Sequence, residues 1–345
     1  MVEPTRSGVE VDAVVAAARA GDESAFGALV ERYRRELQVH CYRMLGSFED
    51  SEDLVQETFL RAWRKRKSFQ GRSTFRAWLY GIATNACLDA LARNPRRALA
   101  RQAAAADSSA AAVPPAEIPW LQPYPDRLLE GVAPNDTEPD AAVVAKETIE
   151  LAFLAAIQHL PPRQRAALIL RDVLGWSAAE SASLLDASVP AVNSALQRAR
   201  ATLKQQLPER RLEWAAAADP SEEERAVLQR YMEAHERADA TALAELLRED
   251  ARFTMPPQPT WYEGREAIMA AFTPEIFGPE AIGDFRLVPT RANMQPAAAN
   301  YVRRRGDSEY RALALDVLRI EDGKVVEITA FVRELFPAFG LPPTL

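Results

Sequence analysis

The sequence predicts a multidomain chain in which two all-α helical domains precede a C-terminal α+β domain. Three observations carry that prediction. Apolar residues recur at helical spacing over residues 22 to 93 and again from Ala141 to about Leu207. A stretch dominated by alanine, serine and proline separates those two blocks. Past the Asp219-Pro220 pair, helical patterns give way to several strand-like runs. At 345 residues and 48% hydrophobic, the chain is long enough for two or three buried cores.

The boundaries fall at residues 1–98 for the first helical domain, 99–140 for a flexible linker, 141–207 for the second helical domain, 208–220 for a short linker and 221–345 for the α+β domain. In the first domain, a helix through Asp53 to Arg64 collects Leu54, Val55, Thr58, Phe59, Ala62 and Trp63 on one side. Asp53, Gln56, Glu57, Leu60 and Arg64 share the other. A leucine among carboxylates suits a surface that meets a basic protein partner; a solvated face with one stray leucine fits the same spacing. The helix Thr74 to Arg93 buries Phe75, Trp78, Leu79, Ile82 and Ala86 and aligns Asn85, Asp89 and Arg93 four residues apart. Such a ladder either reads base edges or closes an Asp89 to Arg93 ion pair.

Charge is distributed unevenly. The net charge is −7, yet Arg61 to Arg101 holds eleven basic residues against the single acid Asp89, and acids outnumber bases after Ser221. A local basic track is what single-stranded nucleic acid requires. In the first linker, Ile118 to Pro125 concentrates Trp120, Leu121 and Tyr124 between prolines, a stiff aromatic segment suited to docking. In the second domain, Pro161 and Pro162 open a helix through Arg171, Gly175 interrupts, Ser177 to Leu185 forms a short helix, and Ser188 caps the next. This helix-turn-helix pattern, which many helical pairs in globular proteins share, turns Val189, Val192 and Leu196 inward and leaves Pro190, Asn193, Ser194, Gln197, Arg198 and Arg200 as a candidate surface for reading base edges.

The C-terminal pattern comprises helices at Glu222 to Ala238, Thr241 to Leu247 and Gly264 to Phe272, then strands at Phe285 to Val288, Ala298 to Arg303, Tyr310 to Arg319 and Val325 to Val332. Glu321-Asp322-Gly323-Lys324 is the turn of a final hairpin. Cys41 and Cys87 sit inside apolar helical patterns and supply neither a disulfide framework nor metal-ligand spacing, so no cofactor is expected. No apolar run approaches the roughly 20 residues of a membrane span and no export signal opens the chain, which sets the expectation of a cytoplasmic protein with no membrane partner.

Asp53-Leu-Val-Gln-Glu-Thr-Phe-Leu-Arg-Ala-Trp63, Phe75-Arg-Ala-Trp-Leu-Tyr-Gly-Ile-Ala-Thr-Asn85 and Asp89-Ala-Leu-Ala-Arg93 resemble region 2 of the extracytoplasmic-function sigma factors of the sigma-70 superfamily. The helix-turn-helix resembles region 4 of the same family. The resemblance implies an alternative sigma factor that binds core RNA polymerase and directs initiation at particular promoters. Asp53, Gln56, Glu57 and Leu60 would dock on the clamp coiled coil. Ser68 to Arg93, with Arg64, Arg72, Ser73, Arg76, Asn85, Asp89 and Arg93 as contacts, would capture the melted minus-10 element. The second domain would read the duplex minus-35 element and contact the flap.

Residues 222 to 333 resemble the SnoaL-like family of the nuclear transport factor 2-like fold, through Leu228 to Asp239, Leu246 to Phe253, Trp261 to Ile268 and Asp322 to Ile328. That resemblance implies a cone-shaped domain with an apolar pocket, lined by Tyr231, His235, Phe253, Met255, Trp261, Phe272, Arg291 and Phe331, which a small-molecule ligand would fill. Some members are enzymes using an Asp-His pair. His235 is the one histidine of this domain and no acid–base constellation accompanies it, so the expectation is a regulatory domain that modulates the sigma factor rather than an enzyme. Two rival readings are a helix-turn-helix regulator with a ligand-sensing domain and a SnoaL-like enzyme fused to a DNA-binding segment.

Overall fold

The computed structural model describes residues 6–71, 73–93, 118–129, 149–206, 220–258, 261–278 and 281–345. The described chain divides into two compact units. One is built from residues before 94 and from 156–206, the other from 118–128, 149–155 and 220–345.

The first unit opens with α1 (Arg6–Ala20), α2 (Glu23–Leu45), α3 (Phe48–Lys65) and α4 (Phe75–Arg93). Each boundary has a local cause. Asp22 caps α2 by accepting from the Ala25 amide at 3.0 Å. Gly46, with φ of 70°, ends that helix in the left-handed conformation, and Ser47 caps α3 at 3.2 Å. Val55, Thr58, Phe59 and Ala62 of α3 are buried as the spacing predicts, while Leu54 and Trp63 are half-covered. Leu37 and Cys41 of α2 and Leu79 and Cys87 of α4 are buried as well.

The rest of this unit is the helix-turn-helix. It comprises the C-terminal end of α5 (Leu151–Gln158), then α6 (Pro162–Leu168), α7 (Ala178–Leu184) and α8 (Val189–Gln206). The expected helix through Arg171 stays α-helical only to Leu168 and continues as a π turn, Ile169–Val173. The Trp176 amide donates to the Leu170 carbonyl at 2.9 Å just beyond it. Val192 and Leu196 turn inward as expected, but Val189 is 40% exposed, because the first residue of α8 projects beyond the turn it starts.

The second unit holds α9 (Glu222–Glu236), α10 (Ala240–Leu246), β1 (Leu247–Thr254), β2 (Trp261–Glu263), α11 (Arg265–Phe272), β3 (Asp284–Ala292), β4 (Gln295–Arg303), β5 (Arg311–Glu321) and β6 (Lys324–Val332). The six strands order as β2-β1-β6-β5-β4-β3, with β1 and β6 parallel and every other pair antiparallel. The three helices cover one face, where Val227, Leu228, Tyr231 and Leu243 pack with Phe253, Phe285, Leu287, Ala298, Leu318, Ile328 and Ala330. On the other face a 3₁₀ helix, Arg333–Phe339, brings Phe336 edge-on to Tyr301, centroids 5.3 Å apart.

Residues 118–128, expected to lie in a flexible linker, are built into this unit. Ile118, Leu121 and Tyr124 are buried. They pack at the β3–β4 turn, whose two residues, Asn293 and Met294, both take positive φ. Asn293 is the hub. Its Oδ1 accepts from the Tyr124 amide at 2.7 Å, its amide donates to the Tyr124 carbonyl at 3.0 Å, and its Nδ2 donates to the Ile149 carbonyl at 2.5 Å. Asp126 accepts from the Met294 amide at 2.9 Å, and the Leu151 amide donates to Gln295 at 3.3 Å. Two stretches of chain, one on each side of residues 130–148, thus hold one hairpin tip.

Candidate nucleic-acid interface

On α3, Asp53, Gln56 and Leu60 are exposed, Leu60 by 52%, so the face expected to meet a protein partner is presented to solvent. Glu57 is half-covered. The Arg61 guanidinium donates to its carboxylate at 2.7 Å and holds it below the usual carboxylate range. Arg61 also bridges to Asp89 at 3.1 Å. The Asp89 carboxylate therefore pairs across to α3 rather than along α4 with Arg93, whose Nε donates to the Asp89 backbone carbonyl at 3.2 Å.

The turn into α4 is organised by Phe69, Phe75 and Trp78, with ring centroids 5.4–5.5 Å apart. Beside it lies a groove of about 790 Å³ lined by Arg61, Lys65, Ser73, Trp78 and Asn85 together with Ile82. Trp78 and Ile82, expected in the buried stripe, line this groove instead. Arg64 and Arg93 are exposed, and Arg72 lies outside the described residues. Arg76 is placed differently from a phosphate contact. It donates to Glu36 at 2.8 Å and stacks on Tyr80 at 5.1 Å, with 17% of its side chain exposed. Burial raises the Glu36 carboxyl, and Arg76 counteracts that shift.

The opposite wall of the groove comes from the helix-turn-helix through Trp176, Glu180, Ser183 and Leu184. Ser177 and Glu180 form a capping box that starts α7. Ser188 accepts from the Ala191 amide at 3.3 Å and starts α8. Along α8, Val189, Pro190, Asn193, Gln197 and Arg198 are exposed, and Arg198 donates to Ser194 at 2.6 Å. Arg200 is clamped by both oxygens of Asp172, at 2.6 and 2.8 Å, which raises its pKa and fixes its direction.

In the second unit, Tyr231, His235, Phe253 and Phe272 share the helix-covered core and Met255 packs against it. Trp261 is 44% exposed on the edge strand β2. Arg291 lies 3.2 Å from Asp126, and Phe331 follows Ala330 of the core and so faces the other side of the sheet. These three lie outside the core that Tyr231, Phe253 and Phe272 share. Two residues that the sequence reading missed are hydrogen-bonded at Tyr231: Asp316 accepts from the Tyr231 hydroxyl at 2.8 Å and from Asn300 at 2.5 Å. Their signal was a lone Asp in the otherwise apolar run Ala312 to Leu318. Burial pushes Asp316 up to about 6 and His235 down to about 4. The His235 Nδ1 sits 2.9 Å from the Tyr231 carbonyl, which can only accept, so Nδ1 carries the proton and Nε2 is the bare acceptor.

Comparison with known proteins places these surfaces in a family. Residues 29–97 match the model for Sigma-70 region 2 and residues 150–203 that for Sigma-70, region 4. Residues 228–328 match the SnoaL-like domain. The ECF RNA polymerase sigma factor SigG of Mycobacterium tuberculosis is 43% identical over 346 residues, covering 97% of this chain and 90% of that protein. The chain belongs to the ECF RNA polymerase sigma factors.

This sigma factor is also 31% identical over 188 residues to SigW of Bacillus subtilis, covering 54% of the chain and 91% of that protein. The crystal structure of Mycobacterium tuberculosis SigJ superposes with a TM-score of 0.58 at 22% identity, covering 91% of the chain and 99% of SigJ, so the two share the fold. The protein is an alternative sigma factor that directs transcription, with RNA polymerase and promoter DNA as its partners. These relatives are sigma factors. Among the described residues no helix is long and apolar enough to cross a membrane.

Proposed function

We propose that this sigma factor docks on the clamp coiled coil of core polymerase through Asp53, Gln56, Glu57 and Leu60 and contacts the flap through region 4. Its groove beside α4 takes the melted minus-10 strand, with Ser73, Asn85, Arg64 and Arg93 as contacts and Arg76, Asp89 and Arg61 positioning them. The exposed residues of α8 read the duplex minus-35 element, and the work is done in the cytoplasm, where polymerase is. The domain boundaries of this reading are those of residues 1–98, 141–207 and 221–345.

We further propose that the SnoaL-like domain modulates initiation, and one observation carries this. The chain leaving region 2 and the chain entering region 4 are both hydrogen-bonded to the same β3–β4 tip through Asn293. Any change in that domain is therefore transmitted to the tether between the two DNA readers, whose effective concentration for each other depends on it. A small-molecule ligand beside Tyr231, His235 and Asp316 would act by favouring one tether arrangement over another. The test is run-off transcription with core polymerase, comparing the full chain, the Asn293→Ala variant and a chain ending near Leu207. Promoter-specific transcripts from the full chain with altered yield from the other two are expected. Equal yields from all three would refute modulation.

A further inference from the structure

The exposed side chains of α8 form a stripe with a direction. Val192, Leu196, Ala199 and Leu203 are buried. Asn193, Gln197, Arg200 and Lys204, at steps of four, three and four residues, share an exposed side. Arg200 stands seven residues beyond Asn193, about 10 Å further along the axis at about 1.5 Å per residue. A recognition helix that meets base edges with its N-terminal residues has run toward the sugar-phosphate backbone by that point. The Arg200 side chain is 60% exposed, yet it is held: Asp172 accepts from its Nε at 2.8 Å and from its Nη2 at 2.6 Å. A guanidinium carries its five N–H donors in a fixed plane, so those that the carboxylate does not use are fixed in one orientation.

Asp172 reaches α8 from the π turn Ile169–Val173, in which the Leu174 amide donates to the Ile169 carbonyl at 2.9 Å, five residues back. The Leu170 carbonyl, which an α-helix would have offered to that amide, accepts from the Trp176 amide at 2.9 Å instead, and Arg171 donates to the Trp176 carbonyl. Such a turn is rare and is frequently kept at functional sites. Stability alone gives little reason for the pair, since an exposed ion pair contributes at most about 1 kcal/mol. We propose that Asp172 is a positioning residue for promoter binding: it locks the Arg200 guanidinium so that the remaining N–H groups meet a phosphate beside the minus-35 element, with the π turn setting the direction of the carboxylate. This inference rests on the reading of α8 as the minus-35 reader. A carboxylate by itself repels DNA, so Asp172 favours binding only through Arg200, whose side chain it orders before DNA arrives. Arg200 then adds affinity without reading sequence.

The test uses holoenzyme assembled from core polymerase and the full chain, with binding measured across about 50 to 200 mM salt on a promoter duplex and on one with a base-substituted minus-35 element. Asp172→Asn removes a negative charge, so charge alone predicts tighter binding. Positioning predicts the opposite, binding about threefold weaker, with the slope of log K against log salt shallower by up to about 1. The ratio of affinities for the two duplexes should stay within about twofold of wild type, which a region 4 that had merely come apart would not show. Asp172→Glu should restore part of the affinity, and Asp172→Asn should cost nothing further in an Arg200→Ala chain. Should Asp172→Asn fail to fold, Arg200→Lys keeps the charge but not the fork, and it should bind about threefold more weakly than wild type. Binding by Asp172→Asn or Arg200→Lys as tight as wild type, a loss that persists in the Arg200→Ala chain, or a collapse of the affinity ratio in Asp172→Asn would each overturn the proposal. A wild-type holoenzyme indifferent to the minus-35 substitution would refute the reading of α8 itself.

Discussion

Asp316 and His235 lie on one hydrogen-bonded and stacked cluster through Tyr231, yet burial moves them in opposite directions, and stability should reflect both. Asp316 keeps its proton in the folded state up to about pH 6, so its contribution is full below the ordinary carboxylate range and is lost as pH rises to about 6. His235 refuses its proton until about pH 4, so its contribution is full above the ordinary imidazole range and is lost as pH falls toward 4. Each shift corresponds to about 3 kcal/mol at 1.36 kcal/mol per pH unit. Between pH 4 and 6 the two slopes nearly cancel in the wild type. Asp316→Asn removes one of them, and calorimetry of the full chain should then find a C-terminal transition that rises steadily in Tm from pH 4 to 6.5. A flat profile in that variant would mean that His235 is not neutral in the fold. The cluster was half legible in the sequence: His235 was visible as a lone histidine, but its tautomer depends on the Tyr231 carbonyl, one helical turn back.

At the scale of elements, α3 and α8 present their polar faces for simple helical reasons. On α3 the stripe through Val55, Thr58, Phe59 and Ala62 is buried, which leaves Leu60 on the outside. Leu60→Asp should leave the free energy of unfolding within about 0.5 kcal/mol of wild type, as surface changes do, while weakening core polymerase binding at least tenfold in a pull-down titration. On α8, Asn193 and Gln197 are exposed and one turn apart, and replacing either by Ala should cost roughly 1–3 kcal/mol of discrimination at one minus-35 base pair, read by competition with base-substituted duplexes. Arg200→Ala should act more weakly on sequence choice, because Asp172 already holds that guanidinium. The strands β1 and β2 were not legible. Leu247-Arg-Glu-Asp-Ala-Arg-Phe-Thr254 follows α10 without a break and is rich in charge, so its pattern continues a helix. It is a strand because β6 pairs with it and its charges find partners across the sheet, Arg248 with Glu321 and Arg252 with Glu263.

For the whole molecule, residues 118–128 and 149–155, which lie between the two sigma regions in sequence, are part of the C-terminal unit. A chain ending near Leu207 loses the β3–β4 tip and uncovers Leu121 and Tyr124, both buried in the full chain. That truncation should bind a hydrophobic dye more strongly than the full chain, an increase that a Leu121→Ser, Tyr124→Ser double change in the truncated chain would reverse. Equal dye binding by full and truncated chains would show that the segment does not depend on the domain.

The sequence by itself determined the succession of two helical regions and an α+β domain, the cap at Ser188, the outward face of α3 and the exposed polar residues of α8. All of these follow from spacing and capping within a few residues, which is where a sequence carries its strongest physical signal. Tertiary structure alone decided that Arg165 donates to the Met44 carbonyl, that Arg76 and Arg200 are held by Glu36 and Asp172, that Asp316 belongs with Tyr231, and that Tyr124 pairs with Asn293 across 169 positions. Each joins residues remote in the chain, and a charged or polar side chain shows its partner only once folding has removed the water that would otherwise serve in its place.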